Sequence, residues 1–346
     1  MIMEAQGSNI AVNHKKMKPV TTLSFIGSDK NAGKTTVLNF VYRRLKENTK
    51  GKNYICLASI GINGEDTDSY ENKEKPMISL YKGSYFITAA EYLQDLTGKY
   101  RIVRNFTSPY FNKVYVLGEC LFDFHIILEG PNNKVEILRM KKEMEKLLPN
   151  SYLLIDGSID RQFIAHPAVS DAFYFAVLLS PRKEQSQKAR DLLFSLSLHV
   201  CSQRQKHLLQ DWLEEDTKSV LFGEGDEVLY HGKEIPFVDK KLHGMCLKYK
   251  NRKCLLYLNG ALSKSLYALL APLKNVTIIL NNFTLYQNIS VYEFQDRVFW
   301  PKIFLFHPVK VRRIFLKQET EHHPVMTPKN IPVYNLFRED LDEIRI

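Results

Sequence analysis

Runs of apolar residues alternate with amphipathic stretches along the first part of the chain. TTLSFIG (21–27) is a β-branched and aromatic run that ends at a glycine, which predicts a buried strand. KTTVLNFVYRRLKENTKG (34–51) follows and predicts a helix, with Gly51 where a helix C-cap belongs. The apolar side chains of this helix fall on one face: Val37, Leu38, Val41 and Leu45. NYICLASIG (53–61) predicts the next strand.

Later segments repeat this alternation. Further strands are predicted at KVYVLG (113–118), FDFHIILEG (122–130), YLLIDG (152–157), FYFAVLLS (173–180), CLLYLNG (254–260), TIILNN (277–282) and IFLFHP (303–308). KVEILRMKKEMEKLLP (134–149) predicts an amphipathic helix whose inward side chains are Ile137, Met140, Met144 and Leu147. A helical region is expected from 184 to about 215, and turn signals predict a small β excursion near 221–239.

Strands that alternate with helices pair in parallel through right-handed crossovers. The expected fold class is therefore α/β, with a mainly parallel sheet and helices on both faces. No low-complexity linker divides the chain, so one extended domain is expected. We expect a disordered lead over 1–19, a nucleotide-binding core over 20–185, and the second half of the same domain, with added β and helical elements, over 186–346.

Composition and charge are those of an ordinary globular chain. Hydrophobic residues make up 45% and charged residues 25% of the sequence. A formal net charge of +10 favours a polyanionic partner, but the basic residues are spread out among 38 acidic ones. We therefore favour a solvated basic surface over nucleic-acid binding.

The cysteines and the apolar runs favour a cytoplasmic location. The five cysteines are odd in number and contain no C-x-x-C pair, so we expect free thiols in a reducing compartment. The longest apolar runs, such as AFYFAVLL (172–179), are strand length, far below the ~20 residues of a membrane helix. No membrane segment is expected, and the first residues do not have the pattern of a secretory signal.

The segment between the first strand and the first helix, SDKNAGKTT, follows the phosphate-binding pattern G-x-x-x-x-G-K-[ST]. Ser28 stands at the position of the first glycine, and Gly27 precedes it. Backbone N–H groups of such a loop converge on phosphates, and the helix dipole that follows attracts them. We therefore expect ATP to be bound by Gly27, Ser28, Asp29, Lys30, Asn31, Ala32, Gly33, Lys34, Thr35 and Thr36.

Individual side chains of this segment have distinct expected roles. Lys34 is the point charge for the β- and γ-phosphates, and Thr35 supplies a hydroxyl to Mg²⁺. Strand, glycine-rich loop, G-K-T-T and amphipathic helix stand in the order that a P-loop NTPase fold requires. This order makes the motif far more specific than an isolated G-K-T.

A P-loop site also needs a carboxylate at a strand end to hold Mg²⁺ through its water shell. Asp156 is the first choice, because an apolar strand precedes it and Gly157 lets the chain turn away. Glu129 is the rival; if both line one cleft, one carries the metal and the other orients water. Asp66, in the acidic loop after the second strand, is a further candidate metal ligand, with a solvated loop as the alternative. The candidate catalytic residues are Lys34, Asp156 and Glu129.

The loop resembles that of dethiobiotin synthetases and related amide ligases, whose motif is G-T-D-T-x-V-G-K-T. The matching residues are Gly27, Asp29, Gly33, Lys34 and Thr35. The resemblance implies a P-loop NTPase that binds ATP and Mg²⁺, often as a homodimer. The K-P motif that these enzymes carry after their second strand is replaced here by ASIGINGED, and their E-G-A-G-G motif is matched only loosely by IDGSIDR.

A longer stretch resembles the small ATPase subunit of the reactivase of adenosylcobalamin-dependent lysine 5,6-aminomutase. The segments that carry this resemblance are SDKNAGKTT, SIGINGED, LEGPN and LLIDGSIDRQFIAHPAVSDAFYFAVLLS. The resemblance covers most of residues 20–340. It implies ATP-driven exchange of damaged cobalamin from an aminomutase, together with a second ATPase subunit.

Three functions follow as hypotheses. The first is an ATPase that acts on a protein partner, with the loop 60–70 ordered by the γ-phosphate and released on hydrolysis. The second is an ATP-dependent carboxylate ligase, against which the missing K-P motif counts. The third is a nucleotide-binding scaffold without turnover.

Overall fold

The computed structural model describes most of the chain in separate ranges. These are 20–49, 51–63, 77–109, 112–157, 164, 168–270, 275–286, 289, 302–308, 310–318, 327–328 and 330–344. The predicted lead (1–19) and most of the predicted switch loop lie outside these ranges. Among the described helices, none combines the length and the apolar character needed to cross a membrane.

The described strands, in chain order, are β1 (Thr21–Gly27), β2 (Tyr54–Ser59), β3 (Gly61–Asn63), β4 (Ile78–Leu80), β5 (Tyr85–Ala89), β6 (Tyr100–Thr107), β7 (Val114–Cys120), β8 (Phe124–Ile126), β9 (Leu128–Gly130), β10 (Ser151–Asp156), β11 (Ala172–Leu179), β12 (Ser219–Phe222), β13 (Val228–Gly232), β14 (Cys254–Leu258), β15 (Val276–Leu280), β16 (Lys302–Leu305), β17 (Val311–Gln318) and β18 (Val333–Asn335). The described α-helices are α1 (Lys34–Thr49), α2 (Lys134–Leu147), α3 (Lys183–Leu196), α4 (Gln203–Gln210), α5 (Lys240–Lys248) and α6 (Lys264–Leu270). Short 3₁₀ helices cover Ala90–Leu96, Phe283–Leu285 and Leu341–Glu343.

The larger sheet has nine described strands in the order β18-β17-β11-β1-β10-β2-β5-β7-β6. All neighbours from β18 to β5 pair in parallel, whereas β7 runs antiparallel to β5 and β6 antiparallel to β7. The prediction of an α/β protein with a mainly parallel sheet is therefore confirmed. The antiparallel edge strand β6 was not foreseen, because its polar and charged positions obscure the period of two.

Helices pack against both faces of the larger sheet. On one face, α1 packs its predicted apolar side chains against β1 and β10. The cluster contains Val37, Leu38, Val41 and Leu45 of α1, Leu23 and Phe25 of β1, and Leu154 of β10. On the other face, residues of α2 and α3 join alternate residues of the same strands, including Ile26, Leu153 and Ile155. Three of the predicted inward residues of α2 are buried: Ile137, Met140 and Met144. The prediction for Leu147 is wrong: it is 39% exposed in the last turn of α2.

A second sheet, in the order β13-β12-β14-β15-β16, occupies the part of the chain between β11 and β17. The predicted β excursion is its antiparallel hairpin β12–β13. Stacked rings join the two sheets. The ring centre of Phe173 in β11 lies 5.3 Å from that of Phe283, which comes just after β15. The chain then returns to the larger sheet, where β17 pairs with β11 and β18 with β17.

Two predicted elements are interrupted in the structure. The helical region from 184 to about 215 consists of two helices, α3 and α4, because the chain between them forms a parallel bridge from Val200 to Leu305. The predicted strand 122–130 is two short strands, β8 and β9, which pair with β4 and β3 outside the larger sheet. Its break falls at Ile127, whose carbonyl accepts a hydrogen bond from the Thr88 hydroxyl at 2.9 Å.

Candidate functional site

The segment between β1 and α1, residues 28–33, is referred to as the 28–33 loop. Its first residue is tied to the neighbouring strand: the Ser28 amide donates to the Ala176 carbonyl at 2.8 Å. The Leu178 amide in turn donates to Ser28 Oγ at 2.9 Å. Ser28, which stands at the position of the pattern's first glycine, is therefore buried and makes two hydrogen bonds to β11. The loop consequently starts from a fixed point between the two strands.

Two residues of the 28–33 loop have left-handed backbone conformations. Asn31 has φ of 61° and Gly33 has φ of 91°. Asn and Gly are the residues that adopt this region most readily. The turn closes with a bond of 3.4 Å from the Ala32 amide to the Asp29 carbonyl. Left-handed residues within a turn are a feature of the backbone nests that bind anions.

Gly27 lies where the loop comes close to the end of β1. A Cβ added there would lie 3.3 Å from the Asp29 carbonyl oxygen, 3.5 Å from Ala32 Cβ and 3.6 Å from Lys34 Cδ. The aliphatic stem of Lys34 therefore folds back over this glycine. A Cβ at position 27 would therefore contact both the loop and the Lys34 side chain.

Lys34 and Asp156 meet at the carboxyl ends of adjacent parallel strands. In the pairing of β1 with β10, Asp156 stands beside Phe25, three residues before the first residue of the loop. Lys34 Nζ lies 3.2 Å from Asp156 Oδ1. The contact is an ion pair, since neither carboxylate oxygen accepts a hydrogen bond from any of the described residues. Asp156 has no exposed surface, and among the described residues Lys34 is the cation that pairs with this buried carboxylate.

The unsatisfied oxygens of Asp156 fit a divalent cation. Thr35, in the first turn of α1, is half-buried, whereas Thr36 is exposed. Within the described ranges, no group of three or more His, Cys, Asp or Glu side chains is arranged to hold a metal. A nucleotide-bound Mg²⁺ needs no such group, because phosphates and water supply most of its ligands. Asp156 and the Thr35 hydroxyl are the residues that would hold it.

Glu129 has a different partner from Asp156. Its Oε1 lies 2.5 Å from Lys113 Nζ, which also lies 3.0 Å from Glu91 Oε1. These hydrogen bonds raise the pKa of Lys113, and the lysine lowers the pKa of Glu91. Glu129 Oε2 is buried and accepts no hydrogen bond from the described residues. Its backbone amide is fixed by Thr88 Oγ1 at 3.0 Å.

The sheet pairing places Glu129 near the end of β2, on the far side of that strand from β1. Its strand β9 pairs with β3, directly after β2. A Cβ on Gly130 would lie 1.9 Å from the Ser59 carbonyl oxygen, so β9 crosses close to the last residue of β2. Of the two rival carboxylates, Asp156 is the one beside Lys34. The third candidate, Asp66, lies outside the described residues.

Two residues that the sequence did not indicate contact the 28–33 loop. Lys317, near the end of β17, donates to the Asn31 carbonyl at 3.0 Å. Leu336, after β18, occupies the space beside Gly33, where an added Cβ would lie 2.6 Å from its Cδ1. Neither residue stands in a recognisable motif, so no local signal could have found them.

Comparisons of the chain with protein-family models, with curated proteins and with solved structures find no match. The function is therefore inferred from the geometry of this site.

Proposed function

We propose that this chain binds Mg-ATP at the 28–33 loop and hydrolyses it as a P-loop ATPase. The observation that carries the proposal is the pair formed by Lys34 and the fully buried Asp156. The pair lies at the carboxyl ends of parallel strands, beside a loop with two left-handed residues, a feature of anion-binding nests. Open α/β sheets bind their ligands at this edge.

The phosphates of the nucleotide are received by the backbone of the loop and by the start of α1. This helix is 16 residues long and has no acidic residue in its first turn, so its positive dipole end is left for an anion. Lys34 turns from Asp156 towards the β- and γ-phosphates. Asp156 and Thr35 would hold Mg²⁺ through its water shell. When bound, the metal would supply positive charge against the charge that develops on the phosphate oxygens.

In the proposed reaction, a water oxygen attacks the γ-phosphorus and the bond to the β–γ bridging oxygen breaks, which leaves ADP and inorganic phosphate. Phosphoryl transfer requires positioning and charge stabilisation rather than covalent participation of the protein. The residues present supply both. Lys34 holds the transferred group, and the loop amides hold the oxygens that gain charge on the leaving side.

We extend the proposal to a protein partner on the resemblance of the sequence to the aminomutase reactivase subunit. In this form, hydrolysis drives the exchange of damaged cobalamin from an adenosylcobalamin-dependent aminomutase, together with a second ATPase subunit. The ligase alternative lacks the K-P motif after β2, where ASIGINGED stands. Hydrolysis assays with and without a purified aminomutase of this class test the extension. Equal rates contradict the partner but leave the ATPase standing.

Thermal melting tests nucleotide binding directly. A ligand at a hundredfold over its dissociation constant stabilises the fold by about 2.7 kcal/mol, which is visible as a shift of the midpoint. We expect Mg-ATP and Mg-ADP to shift the wild type and Lys52→Ala, an exposed lysine control, by the same amount. Lys34→Ala should lose the shift relative to its own ligand-free midpoint.

Two outcomes contradict the proposal. An absence of any shift with Mg-ATP, Mg-ADP and Mg-GTP removes nucleotide binding. If Mg-ATP shifts the melting midpoint but no phosphate is released, and Asp156→Asn binds Mg-ATP as tightly as the wild type, the protein is a nucleotide-binding scaffold rather than an ATPase.

A further inference from the structure

The 28–33 loop is fastened from outside by the last part of the chain. The Lys317 ammonium donates to the Asn31 carbonyl at 3.0 Å, and the Leu336 side chain lies on Gly33. These contacts fall on the two residues of the loop that have left-handed backbone conformations. Both left-handed positions of the loop are therefore contacted by residues from the last part of the chain.

A row of aromatic rings anchors these strands to the loop's own strand. All distances in this row are between ring centres. Phe25 of β1 stacks on Tyr174 of β11 at 5.2 Å, and Tyr174 lies 6.4 Å from Phe315 of β17. Phe315 lies 5.8 Å from Tyr334 of β18 and makes an edge contact with Phe40 of α1 at 6.0 Å. The row runs across four neighbouring strands on the α1 face of the sheet. Lys317 and Leu336 are thus presented from a rigid support.

The bond from Lys317 also fixes the direction of a peptide group. In a trans peptide the carbonyl and the N–H point in opposite directions. Holding the Asn31 carbonyl against Lys317 therefore turns the Ala32 amide the other way, towards the Asp29 carbonyl at 3.4 Å. The bond from Lys317 therefore supports the turn that the Ala32 amide closes.

We propose that Lys317 and Leu336 form a clamp that holds the 28–33 loop in its phosphate-receiving conformation before a nucleotide arrives. Lys317 is a positioning residue, acting through Asn31, and Leu336 fills the space beside Gly33. The clamp itself stands on the contacts above. Its effect on nucleotide affinity rests on the proposed function.

The test compares Lys317→Met with Lys317→Arg and with Arg312→Met, an exposed cation on the same strand. The first readout is hydrogen exchange of the amides of residues 29–35 in the nucleotide-free protein. Loss of one hydrogen bond from a charged donor predicts about tenfold faster exchange in Lys317→Met. Lys317→Arg should restore the wild-type rate, and Arg312→Met should leave it unchanged.

The second readout is the dissociation constant of Mg-ADP, measured by titration calorimetry. We expect about tenfold weaker binding in Lys317→Met, with rescue in Lys317→Arg, because the loop must then be ordered by the ligand itself. Leu336→Ala should weaken binding in the same direction. Leu336→Met conserves volume and should stay close to wild type, which guards against loss of folding in the alanine variant.

Each outcome separates the clamp from the proposed function. Unchanged exchange in Lys317→Met overturns the clamp whether or not nucleotide binds. Faster exchange with an unchanged dissociation constant overturns the positioning role. If the wild type binds no Mg-ADP but Lys317→Met still exchanges faster, the clamp is supported. Nucleotide binding is then overturned, and with it the effect of the clamp on nucleotide affinity.

Discussion

Lys34 Nζ lies 3.2 Å from Oδ1 of Asp156, a carboxylate with no exposed surface. The Lys34 side chain is 19% exposed, so solvent reaches the lysine but not the aspartate. Removal of one partner of a buried pair leaves an uncompensated charge, which costs far more than removal of both.

The first prediction concerns the stability of this pair without nucleotide. Lys34→Met should lower the free energy of unfolding by about 3 kcal/mol, because the Asp156 carboxylate is left buried and unpaired. Lys34→Met combined with Asp156→Asn should recover most of that loss. Urea unfolding of the wild type, both single variants and the double variant gives the coupling energy. Additive effects would show that the pair is not formed in solution.

The second prediction concerns the packing on Gly33. Gly33→Ala and Gly51→Ala both force alanine into a left-handed conformation, at φ of 91° and 78°. A Cβ at Gly51 meets nothing within 4 Å, whereas one at Gly33 meets Leu336. Gly51→Ala should cost about 1 kcal/mol of stability and Gly33→Ala about 1–2 kcal/mol more.

Leu336→Ala provides the control for this comparison. Made in the Gly33→Ala background, it should remove the steric part of the cost and leave the conformational part. Chemical unfolding of the wild type, Gly51→Ala, Gly33→Ala, Leu336→Ala and the double variant checks this, with the double variant compared to Leu336→Ala alone. Equal costs at positions 33 and 51 would contradict the contact between Gly33 and Leu336.

The third prediction concerns the role of Glu129, which the sequence made a candidate catalytic residue. Its carboxylate pairs with Lys113 at 2.5 Å. Lys113→Met and Glu129→Gln should each lower the unfolding free energy by about 1 kcal/mol, since the lysine is partly solvated, and their effects should not add. The rate of ATP hydrolysis per folded molecule should stay within about twofold of wild type, as expected for a group that does not touch the phosphates. A large fall in this rate in Glu129→Gln alone would instead assign Glu129 to the reaction.

The fourth prediction concerns the pH dependence of stability. Burial, and then the positive charge of Lys206, lower the pKa of His307 from its ordinary value of 6.5. The unfolded chain then binds this proton at a higher pH than the folded protein. Above pH 6.5 His307 is neutral in both states and does not oppose folding. As pH falls from 6.5 towards the lower pKa of the folded protein, the unfolded chain takes up the proton first and the free energy of unfolding falls.

His307→Gln should flatten the slope of stability against pH between about pH 5 and 7. Lys206→Met should flatten it partly, because the burial remains. His207→Gln, which removes an exposed histidine, is the matched control and should keep the wild-type slope. Thermal melts at intervals of half a pH unit check all three, and an unchanged slope in His307→Gln would contradict the prediction.

Much of the fold near the candidate site could be predicted from short stretches of sequence. The strand β1 and the start of α1 were placed correctly, because a strand of β-branched residues, a glycine turn and a helical period are local signals. Elements further along were harder to place. The predicted strand 122–130 was broken by a hydrogen bond from Thr88, a residue distant in the chain. The prediction for Leu147 failed because Leu148, four residues after Met144, takes the buried position at the end of α2.

By itself, the sequence determined the phosphate-loop motif, the α/β class and the pair of carboxylates, Asp156 and Glu129, between which a choice was needed. The tertiary structure added their surroundings, since strand order places Asp156 beside β1 and Glu129 pairs with Lys113. Only the tertiary structure brought Lys317 and Leu336 onto the loop. Local propensity reaches a few residues along the chain, whereas strand pairing joins segments whose separation no periodicity encodes.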